Sequence, residues 1–400
     1  MDDAGAWAAS GAMALTGRDD GPALGAPAPL VEIVHHAAAV IAKLTDGRVM
    51  LDGLALLGER AAIAGLGRRG AISCGGGTRL VEAGDGWLAV AFPRADDLDA
   101  LPAWLERDID RNDPWATVAG AVAAAPSAAL DDRAALLGLP VAAVASVPAE
   151  LHPVLGQPLG GTRFGPAARR AESMAETRVV DLSALWAGPL CGQILSTCGA
   201  EVIKVESRSR PDGARLGPAA FFDLLNGTKR SVVLDFETEH GPNDLARLVA
   251  SADVVIDSAR PRALEQLGID CADLLAHGDG PSVWVSITGH GRARGDRVAF
   301  GDVAAAAGGL VVRDGNGPCF VGDAVADPLT GLVAAAAVLE ALADGSRWLL
   351  DAGMAPLAAS GAGAPVDVTD IEPAPPRARV ARRRAPALGS DTAAVIATLP

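Results

Sequence analysis

The chain has 400 residues, a net charge of −15 at pH 7 and an apolar fraction of 50%, but only 4% aromatic residues and no tyrosine. This length allows two or three domains with a substantial core built from alanine, valine and leucine. The negative charge argues against a general nucleic-acid-binding protein, which needs a basic surface. The five cysteines are scattered and contain no Cys-x-x-Cys pair, which argues against a zinc knuckle or a disulfide framework.

The sequence shows no sign of a targeting or membrane-spanning segment. Residues 1–21, MDDAGAWAASGAMALTGRDDG, begin with acidic residues and lack the basic region of a signal peptide. The apolar run at 332–342, LVAAAAVLEAL, is shorter than the ~18 residues that a membrane span requires. We therefore expect a soluble cytoplasmic protein.

Residues 1–170 are predicted to form a smaller α+β domain. Residues 78–92, TRLVEAGDGWLAVAF, alternate around an Asp85-Gly86 turn and predict a β-hairpin. Residues 65–70, GLGRRG, match the dinucleotide pattern G-x-G-x-x-G, but a helical segment precedes them where the motif needs a strand. We interpret them as a surface turn. His35-His36 adjoin on a predicted helix and diverge, so they are interpreted as structural or surface residues.

Strands and helices alternate from residue 178 onward. Five apolar segments predict strands: RVVDLSAL (178–185), EVIKVE (201–206), RSVVLDF (230–236), DVVIDSA (253–259) and PSVWVSITG (281–289). Helical segments lie between them, which predicts βαβ units and a Rossmann-like, doubly wound parallel sheet over residues 171–345. The polar stretch 165–177 is interpreted as a linker, and 346–400 as a tail that packs back on the core.

Ligands of such sheets bind at the carboxyl ends of the strands. This rule points to four stretches, which are Trp186–Pro189, Glu206–Arg210, Arg260–Arg262 and Gly289–Gly295. The last lies in SITGHGRARG (286–295), whose glycines permit close backbone approach to a ligand. His290 on this loop is either an acid–base group or a solvated, idle side chain.

An internal repeat connects the two halves of the chain. Residues 7–47 resemble residues 303–345, and the shared register puts Pro29 opposite Asp327. Asp327 precedes a proline and an alanine-rich helical run, which predicts a helix N-cap. The positive end of the helix dipole would also keep the carboxylate ionised, as covalent catalysis by an acyl-aspartate needs.

The arginine-rich stretch 375–386, PPRARVARRRAP, has two interpretations. It would bind phosphates if a phosphate-bearing ligand were established, but on an acidic protein it more often lies across its own acidic surface. The residues in question are Arg377, Arg379, Arg382, Arg383 and Arg384.

Five ordered blocks in residues 178–345 resemble the class III CoA-transferase family, which includes carnitine CoA-transferases and α-methylacyl-CoA racemases. The blocks are VVDLSALWAGPLCGQILSTCGAEVIKVE, NGTKRSVVLDF, ADVVIDSARPRALEQLGID, SVWVSITGHG and VADPLTGLVAAAAVLEAL. Segments GDGWLAVAF and GLPVAAVASVPAELHPVLGQP resemble the second half of the family, which here precedes the Rossmann-like part. The order of domains therefore resembles a permuted or fused version of the family.

The resemblance implies roles for particular residues. Asp327 matches the catalytic aspartate, and Gly289 and Gly291 match the glycine loop over the active site, with His290 where an aromatic residue often lies. The residues expected around CoA are Trp186, Ala187, Glu206, Arg208, Lys229 and Arg260, in addition to His290. Positive groups in that cleft suit the phosphates of CoA.

The resemblance implies a CoA-transferase that moves CoA from an acyl-CoA to a carboxylic acid through an aspartyl anhydride and an aspartyl-CoA thioester. No metal or redox cofactor is required, and family members typically form interlocked homodimers. Two alternatives are a non-catalytic acyl-CoA-binding homologue and a racemase. The racemase is the lesser alternative, because racemases have a histidine immediately before the aspartate that corresponds to Asp302, and this chain has Gly301.

Overall fold

The computed structural model describes residues 2–145, 153–167, 171, 173–277 and 280–399. The strands are β1 (Thr78–Ala83), β2 (Gly86–Ala91), β3 (Val141–Ala143), β4 (Gly160–Pro166), β5 (Arg178–Asp181), β6 (Glu201–Ser207), β7 (Arg230–Leu234), β8 (Val254–Asp257), β9 (Val283–Thr288), β10 (Val311–Asp314), β11 (Gly317–Phe320) and β12 (Ser346–Gly353).

The helices are α1 (Asp3–Ser10), α2 (Ala28–Leu44), α3 (Glu59–Ala64), α4 (Ala95–Leu105), α5 (Pro114–Val122), α6 (Ser127–Leu137), α7 (Ala187–Thr197), α8 (Ala219–Asn226), α9 (His240–Ser251), α10 (Pro261–Glu265), α11 (Cys271–His277), α12 (Gly301–Ala307), α13 (Ala326–Asp344), α14 (Met354–Gly361) and α15 (Thr392–Ile396). Short 3-10 helices span Met13–Leu15, Ala55–Gly58, Met174–Glu176, Gly213–Leu216 and Arg292–Arg294.

A seven-stranded sheet forms the centre of the fold, with the strand order β4-β12-β9-β8-β5-β6-β7. All neighbouring strands are parallel except β4, which pairs antiparallel with β12 at one edge. The five strands predicted from 178 onward are β5 to β9, and all five lie in the parallel part. The prediction of a doubly wound α/β fold is confirmed.

Alternate residues of these strands enter different cores, because successive side chains of a strand point to opposite faces. Val179 belongs to the core on one face of the sheet, and Val180 to the core on the other. Val285 and Trp284 are divided in the same way. Both faces are therefore covered, as the continuous apolar runs predict.

Helix α13 is the central helix of the larger core, and nearly all of its residues are buried. Small side chains allow close approach: a Cβ on Gly331 would lie 2.6 Å from Ala187 O on α7. Among the described helices, α13 is also long and apolar enough to cross a membrane, but most of it is buried within the protein. The sequence-based estimate of its length was therefore too short, and in this fold α13 packs as a core helix.

The N-terminal segment packs on the same core. Helix α2 contacts α13 and α14, and a smaller three-stranded sheet forms from β1, β2 and β3. The predicted hairpin is β1–β2; its two-residue loop is Gly84-Asp85, since Ala83 pairs with Gly86. GLGRRG follows α3, and Gly65 ends that helix with a positive φ of 66°.

The two copies of the internal repeat begin their long helices at equivalent residues. Ala28 begins α2 and Ala326 begins α13, so Pro29 and Asp327 are each the second helical residue. The domain boundaries at 170 and 345 stay a prediction; the large sheet takes β4 from before the first boundary and β12 from after the second. Part of the predicted linker, 168–170 and 172, and part of the segment 138–158 lie outside the described residues.

Candidate functional site

A pocket of about 560 Å³ opens at the carboxyl ends of the parallel strands. All four predicted stretches contribute to its lining, through Ala187 and Gly188, Arg210, Arg260, and Gly289 with Gly295. Asp327 lies in the same lining, together with residues 297–300. The topology therefore brings together segments that are far apart in the sequence, as expected for a doubly wound sheet.

Asp327 lies in the first turn of α13 but is not the N-cap. The cap position is Val325, and no side-chain hydrogen bond caps the helix. The backbone N–H of Asp327 donates to Ala324 O at 2.8 Å. The interpretation of Asp327 as a plain N-cap is thus wrong, and the residue lies in the pocket lining instead.

Burial raises the pKa of Asp327 to about 7, and the nearby Asp302 and Asp323 act in the same direction. The Arg60 guanidinium and a hydrogen bond from the Gly301 N–H oppose this rise. The helix dipole, which favours the ionised form, is therefore opposed by burial and by two neighbouring carboxylates.

Gly301, the first residue of α12, lies directly against this carboxylate. A Cβ at Gly301 would overlap with Asp327 Oδ2 and would lie 2.5 Å from Ala324 O. Only glycine fits here without displacement of its neighbours. A histidine, which the racemase alternative needs at this position, has no space in this arrangement.

Asp302 and Asp323 form a buried cluster with Asp327. Burial, followed by the charge of Asp323, raises the pKa of Asp302 to about 6. Asp302 accepts hydrogen bonds from the Ala324 N–H at 3.1 Å and from Thr78 Oγ1 at 3.4 Å. Arg60 binds Asp323 with two hydrogen bonds, at 2.9 and 2.5 Å.

Four arginines line the pocket around Asp327, which are Arg94, Arg210, Arg260 and Arg297. Arg94 pairs with Asp97 and donates to Gly138 O, and Arg297 pairs with Asp131 and Asp132. Arg210 and Arg260 are exposed. Guanidinium groups in a fixed cleft suit a ligand that carries phosphates.

The glycine loop after β9 is held by β12. The Arg292 N–H donates to both carboxylate oxygens of Asp351, at 3.1 and 3.0 Å. Gly291 has a φ of +85°, which favours glycine. Gly289 lines the pocket, whereas Gly291 and His290 are not among the described residues that line it. Burial and the charges of Arg297 and Arg294 lower the pKa of His290 to about 4, so it is neutral at physiological pH.

The structure gives four of the predicted CoA contacts other surroundings. Glu206 is buried and pairs with Arg215 at 2.5 Å, and Lys229 is buried and pairs with Asp181 at 2.7 Å. Arg208 is exposed and lies 3.5 Å from Asp235. Trp186 is only 2% exposed. The CoA contacts at these four residues stay predictions: ion pairs hold Glu206 and Lys229 in the interior, whereas Arg208 is exposed.

Sequence reasoning missed the contributions of the N-terminal segment, namely Arg60, Thr78 and Arg94. The sequence around each of these residues has no distinguishing pattern. The partner of Arg60, Asp323, is 263 positions away, so a local pattern cannot reveal the pair. The arginine-rich stretch behaves as expected in part: Arg377 pairs with Asp52 and Arg379 with Glu59, whereas Arg382–Arg384 are exposed. Among the described residues, no group of three or more histidine, cysteine or acidic side chains could hold a metal ion.

Residues 174–366 match the family model of CoA-transferase family III. The chain is 32% identical over 186 residues to a succinyl-CoA–D-citramalate CoA-transferase of Chloroflexus aurantiacus, covering 44% of this chain and 46% of that protein. It is 32% identical over 196 residues to a succinate–glutarate CoA-transferase of Agrobacterium fabrum, covering 44% and 49%. The chain therefore spans about half the length of the curated relatives that it matches. A crystal structure of a CAIB/BAIF family protein from Brucella suis matches with 32% identity over 48% of this chain and 55% of that chain, at a TM-score of 0.43.

Proposed function

We propose that the protein transfers CoA from an acyl-CoA thioester to a carboxylic acid, with Asp327 as the nucleophile, because residues 174–366 match the family model of CoA-transferase family III. The observation that carries the proposal is the position of Asp327, in the first turn of α13 and in the lining of an arginine-rich pocket. The arginines would bind the phosphates of CoA, and the carboxylate would meet the thioester.

In the proposed reaction, an oxygen of the ionised Asp327 attacks the thioester carbonyl carbon. The C–S bond breaks, the CoA thiolate leaves, and a mixed anhydride forms. The thiolate then attacks the aspartyl carbonyl of the anhydride, which releases the donor as its carboxylate and leaves an aspartyl-CoA thioester. The acceptor carboxylate repeats the two exchanges in reverse and restores Asp327. The two substrates supply every group that is exchanged.

A carboxylate is a weak nucleophile, so the rate would depend on positioning and on stabilisation of the tetrahedral oxyanion. Gly289 lines the pocket with the backbone of the glycine loop, whose fixed geometry comes from Asp351. We propose that N–H groups of this loop face the oxyanion. The racemase alternative is disfavoured by the lack of space at Gly301.

The first experiment is to trap the aspartyl intermediates. The protein would be mixed with a panel of acyl-CoAs, treated with hydroxylamine or borohydride, and digested for peptide mass spectrometry. We expect an aspartyl hydroxamate or a reduced side chain at Asp327, absent in Asp327→Asn. Asp314→Asn is the matched control, since Asp314 lies in β10 outside the pocket lining.

The trapping experiment distinguishes a CoA-transferase from a non-catalytic acyl-CoA-binding protein. An adduct at another residue, or an adduct that persists in Asp327→Asn, would refute Asp327 as the nucleophile. Binding of CoA in calorimetry without any adduct, for every donor tested, would favour a non-catalytic acyl-CoA-binding protein. A homodimer, as the family resemblance implies, remains part of the proposal.

A further inference from the structure

Arg60 connects the N-terminal segment to the acidic cluster beneath the pocket. It lies in the first turn of α3, and its guanidinium binds Asp323 in a two-pronged ion pair. The Asp323 side chain is 0% exposed and that of Arg60 is 31% exposed. A bidentate arginine–carboxylate pair fixes the orientation of both groups, especially when one of them is buried.

The aromatic ring of Trp186 holds the other side of Arg60. The guanidinium carbon lies 5.1 Å from the centre of the Trp186 ring, which in turn packs edge-on against Phe221. A guanidinium over a tryptophan face is attracted by the ring and restricted in its motion. Arg60 is thus fixed between a carboxylate and an aromatic ring, in a position that packing and charge both determine.

Within the buried cluster, Asp327 has two carboxylates, Asp302 and Asp323, and one guanidinium, Arg60, as charged neighbours. Asp302 faces it from α12 and Asp323 from the loop before α13, and Ala324 joins them: its N–H donates to Asp302 and its carbonyl oxygen accepts from the Asp327 N–H. Thr78 contacts Asp302 from β1. Cys74 lies in the same cluster, where burial and the aspartates raise its pKa, so it remains a neutral thiol. On the pocket side are the four arginines already described.

We propose that Arg60 is the positioning residue of the catalytic carboxylate: through its pair with Asp323 it holds the loop 322–325 and sets the electrostatic potential at Asp327. The inference rests on the proposed function for the role of Asp327 as nucleophile, but not for the arrangement of charges. It assigns a part of the active site to the segment that precedes the Rossmann-like half of the chain.

The two members of the pair act on Asp327 in opposite directions. Arg60 favours the ionised form of Asp327, and Asp323 disfavours it, since a like charge raises the pKa of an acid and an opposite charge lowers it. Removal of Arg60 should therefore move the titration of Asp327 to higher pH. Removal of the Asp323 charge should move it to lower pH. A residue with a merely structural role would not give shifts of opposite sign.

The test is a titration of the Asp327 carboxyl by aspartate-selective carbon-13 NMR, with the resonance assigned by its loss in Asp327→Asn. We expect the midpoint to rise by about one pH unit in Arg60→Gln and to fall by about one unit in Asp323→Asn. Arg60→Lys, which keeps the charge, should stay within a few tenths of a unit of the native midpoint. Equal midpoints in the folded variants, or shifts of the same sign, would overturn the inference.

Two further variants guard against loss of folding. Arg60→Gln with Asp323→Asn leaves no unpaired charge at the buried position, so it should fold, with a midpoint between those of the single variants. Arg18→Gln is the matched control, because it breaks the Arg18–Asp314 pair, another ion pair between the two halves of the chain, outside the cluster. It should leave the Asp327 titration unchanged.

Activity gives a second, separate readout. If the protein transfers CoA, the acidic limb of kcat/KM should move in the same order as the NMR midpoints. If no variant transfers CoA but the midpoints shift as expected, the proposed function fails and the role of Arg60 stands. If transfer occurs with an acidic limb that is the same in all folded variants, the inference about Arg60 fails.

Discussion

Asp327 is subject to two opposing effects, and their sizes decide its state. A carboxylate in the first turn of a helix gains about 0.3–1 kcal/mol from the helix dipole, which lowers its pKa by less than one unit. Burial beside Asp302 raises the pKa to about 7, some three units above its ordinary value, which corresponds to about 4 kcal/mol. Burial is therefore the larger effect, and it favours the protonated form of Asp327.

The transfer rate should reflect this titration. If the ionised carboxylate is the nucleophile, as proposed, kcat/KM for an acyl-CoA should increase with pH up to about pH 7 and then level off. A pH–rate profile measures this directly. A profile already level at pH 5 would show that Asp327 is fully ionised in the active protein.

Stability should depend on pH with the opposite sign. Because the folded pKa of Asp327 is raised, the native state binds a proton more tightly than the unfolded state, and its stability falls as pH increases from about 4 to 7. Asp327→Asn removes this penalty. Its Tm should exceed that of the native protein at pH 8, by an amount equivalent to about 1–4 kcal/mol, and the two Tm values should converge near pH 4.

Gly301 controls the space beside the Asp327 carboxylate. Gly301→Ala should reduce transfer strongly and lower the free energy of unfolding by about 1–3 kcal/mol, because its Cβ would displace Asp327 or Ala324. Gly301→His should give no racemase activity, measured as solvent deuterium uptake at the α-carbon of a 2-methylacyl-CoA. Deuterium uptake in this variant would show that the site can open for a second base.

At the scale of elements, helices α7 and α13 pack closely, and this packing sets one wall of the pocket. The intrinsic gain of alanine over glycine inside a helix is about 1 kcal/mol, whereas overpacking costs about 1–3 kcal/mol. At Gly331 the new Cβ would lie 2.6 Å from Ala187 O and 2.9 Å from Leu190 Cβ. The clash therefore outweighs the propensity.

Gly331→Ala should lower the free energy of unfolding by on the order of 1 kcal/mol and raise KM, since it shifts the beginning of α7, where Ala187 and Gly188 line the pocket. Gly120→Ala is the matched control: Gly120 is exposed inside α5, with nothing within 4 Å of its Cβ position. The Gly120→Ala variant should have a free energy of unfolding about 0.5–1 kcal/mol higher than that of the native protein. Thermal unfolding and KM measurements distinguish the Gly331→Ala variant from the Gly120→Ala control. If Gly331→Ala were more stable than the native protein, α7 and α13 would be able to move apart without loss of stability.

The elements also show what the sequence can and cannot reveal. Strands β5 to β9 could be predicted, since they are apolar runs bounded by turn residues and buried on both faces. Strand β4, GGTRFGP, could not, because it is a largely exposed edge strand without apolar alternation. Asp327 could be singled out by its position before a proline and a long helix, whereas Arg60 depends on a partner 263 positions away and has no local pattern.

At the scale of the whole molecule, the repeated helices α2 and α13 pack against each other within one chain, and the N-terminal segment supplies Arg60 to the site of Asp327. In an interlocked dimer of two identical chains, one active site can contain residues from both subunits. Here, Arg60 and Asp323 of a single chain are already paired. Dimerisation is therefore not needed to assemble this cluster.

This arrangement gives a mixing prediction. Equal amounts of Arg60→Gln and Asp327→Asn proteins, unfolded and refolded together, should show no more transfer than the sum of the two alone. An interlocked assembly with shared sites would restore about a quarter to a half of the native activity, depending on how the chains pair. Native protein that is unfolded and refolded in parallel shows how much activity the procedure itself recovers.

Residues near the C-terminus cover the edge strand β7, and this covering should limit aggregation of the protein. β7 ends the sheet, yet its outer backbone groups are occupied: Asp391 accepts from the Ser231 N–H at 2.9 Å, Thr392 accepts from the Val233 N–H at 3.0 Å, and the Asp391 N–H donates to Ser231 O. An uncovered edge of this kind recruits strands of other molecules. Asp391→Ala with Thr392→Val would free the two N–H groups, so the concentration at which the protein aggregates should fall while the protein that stays dissolved keeps its activity.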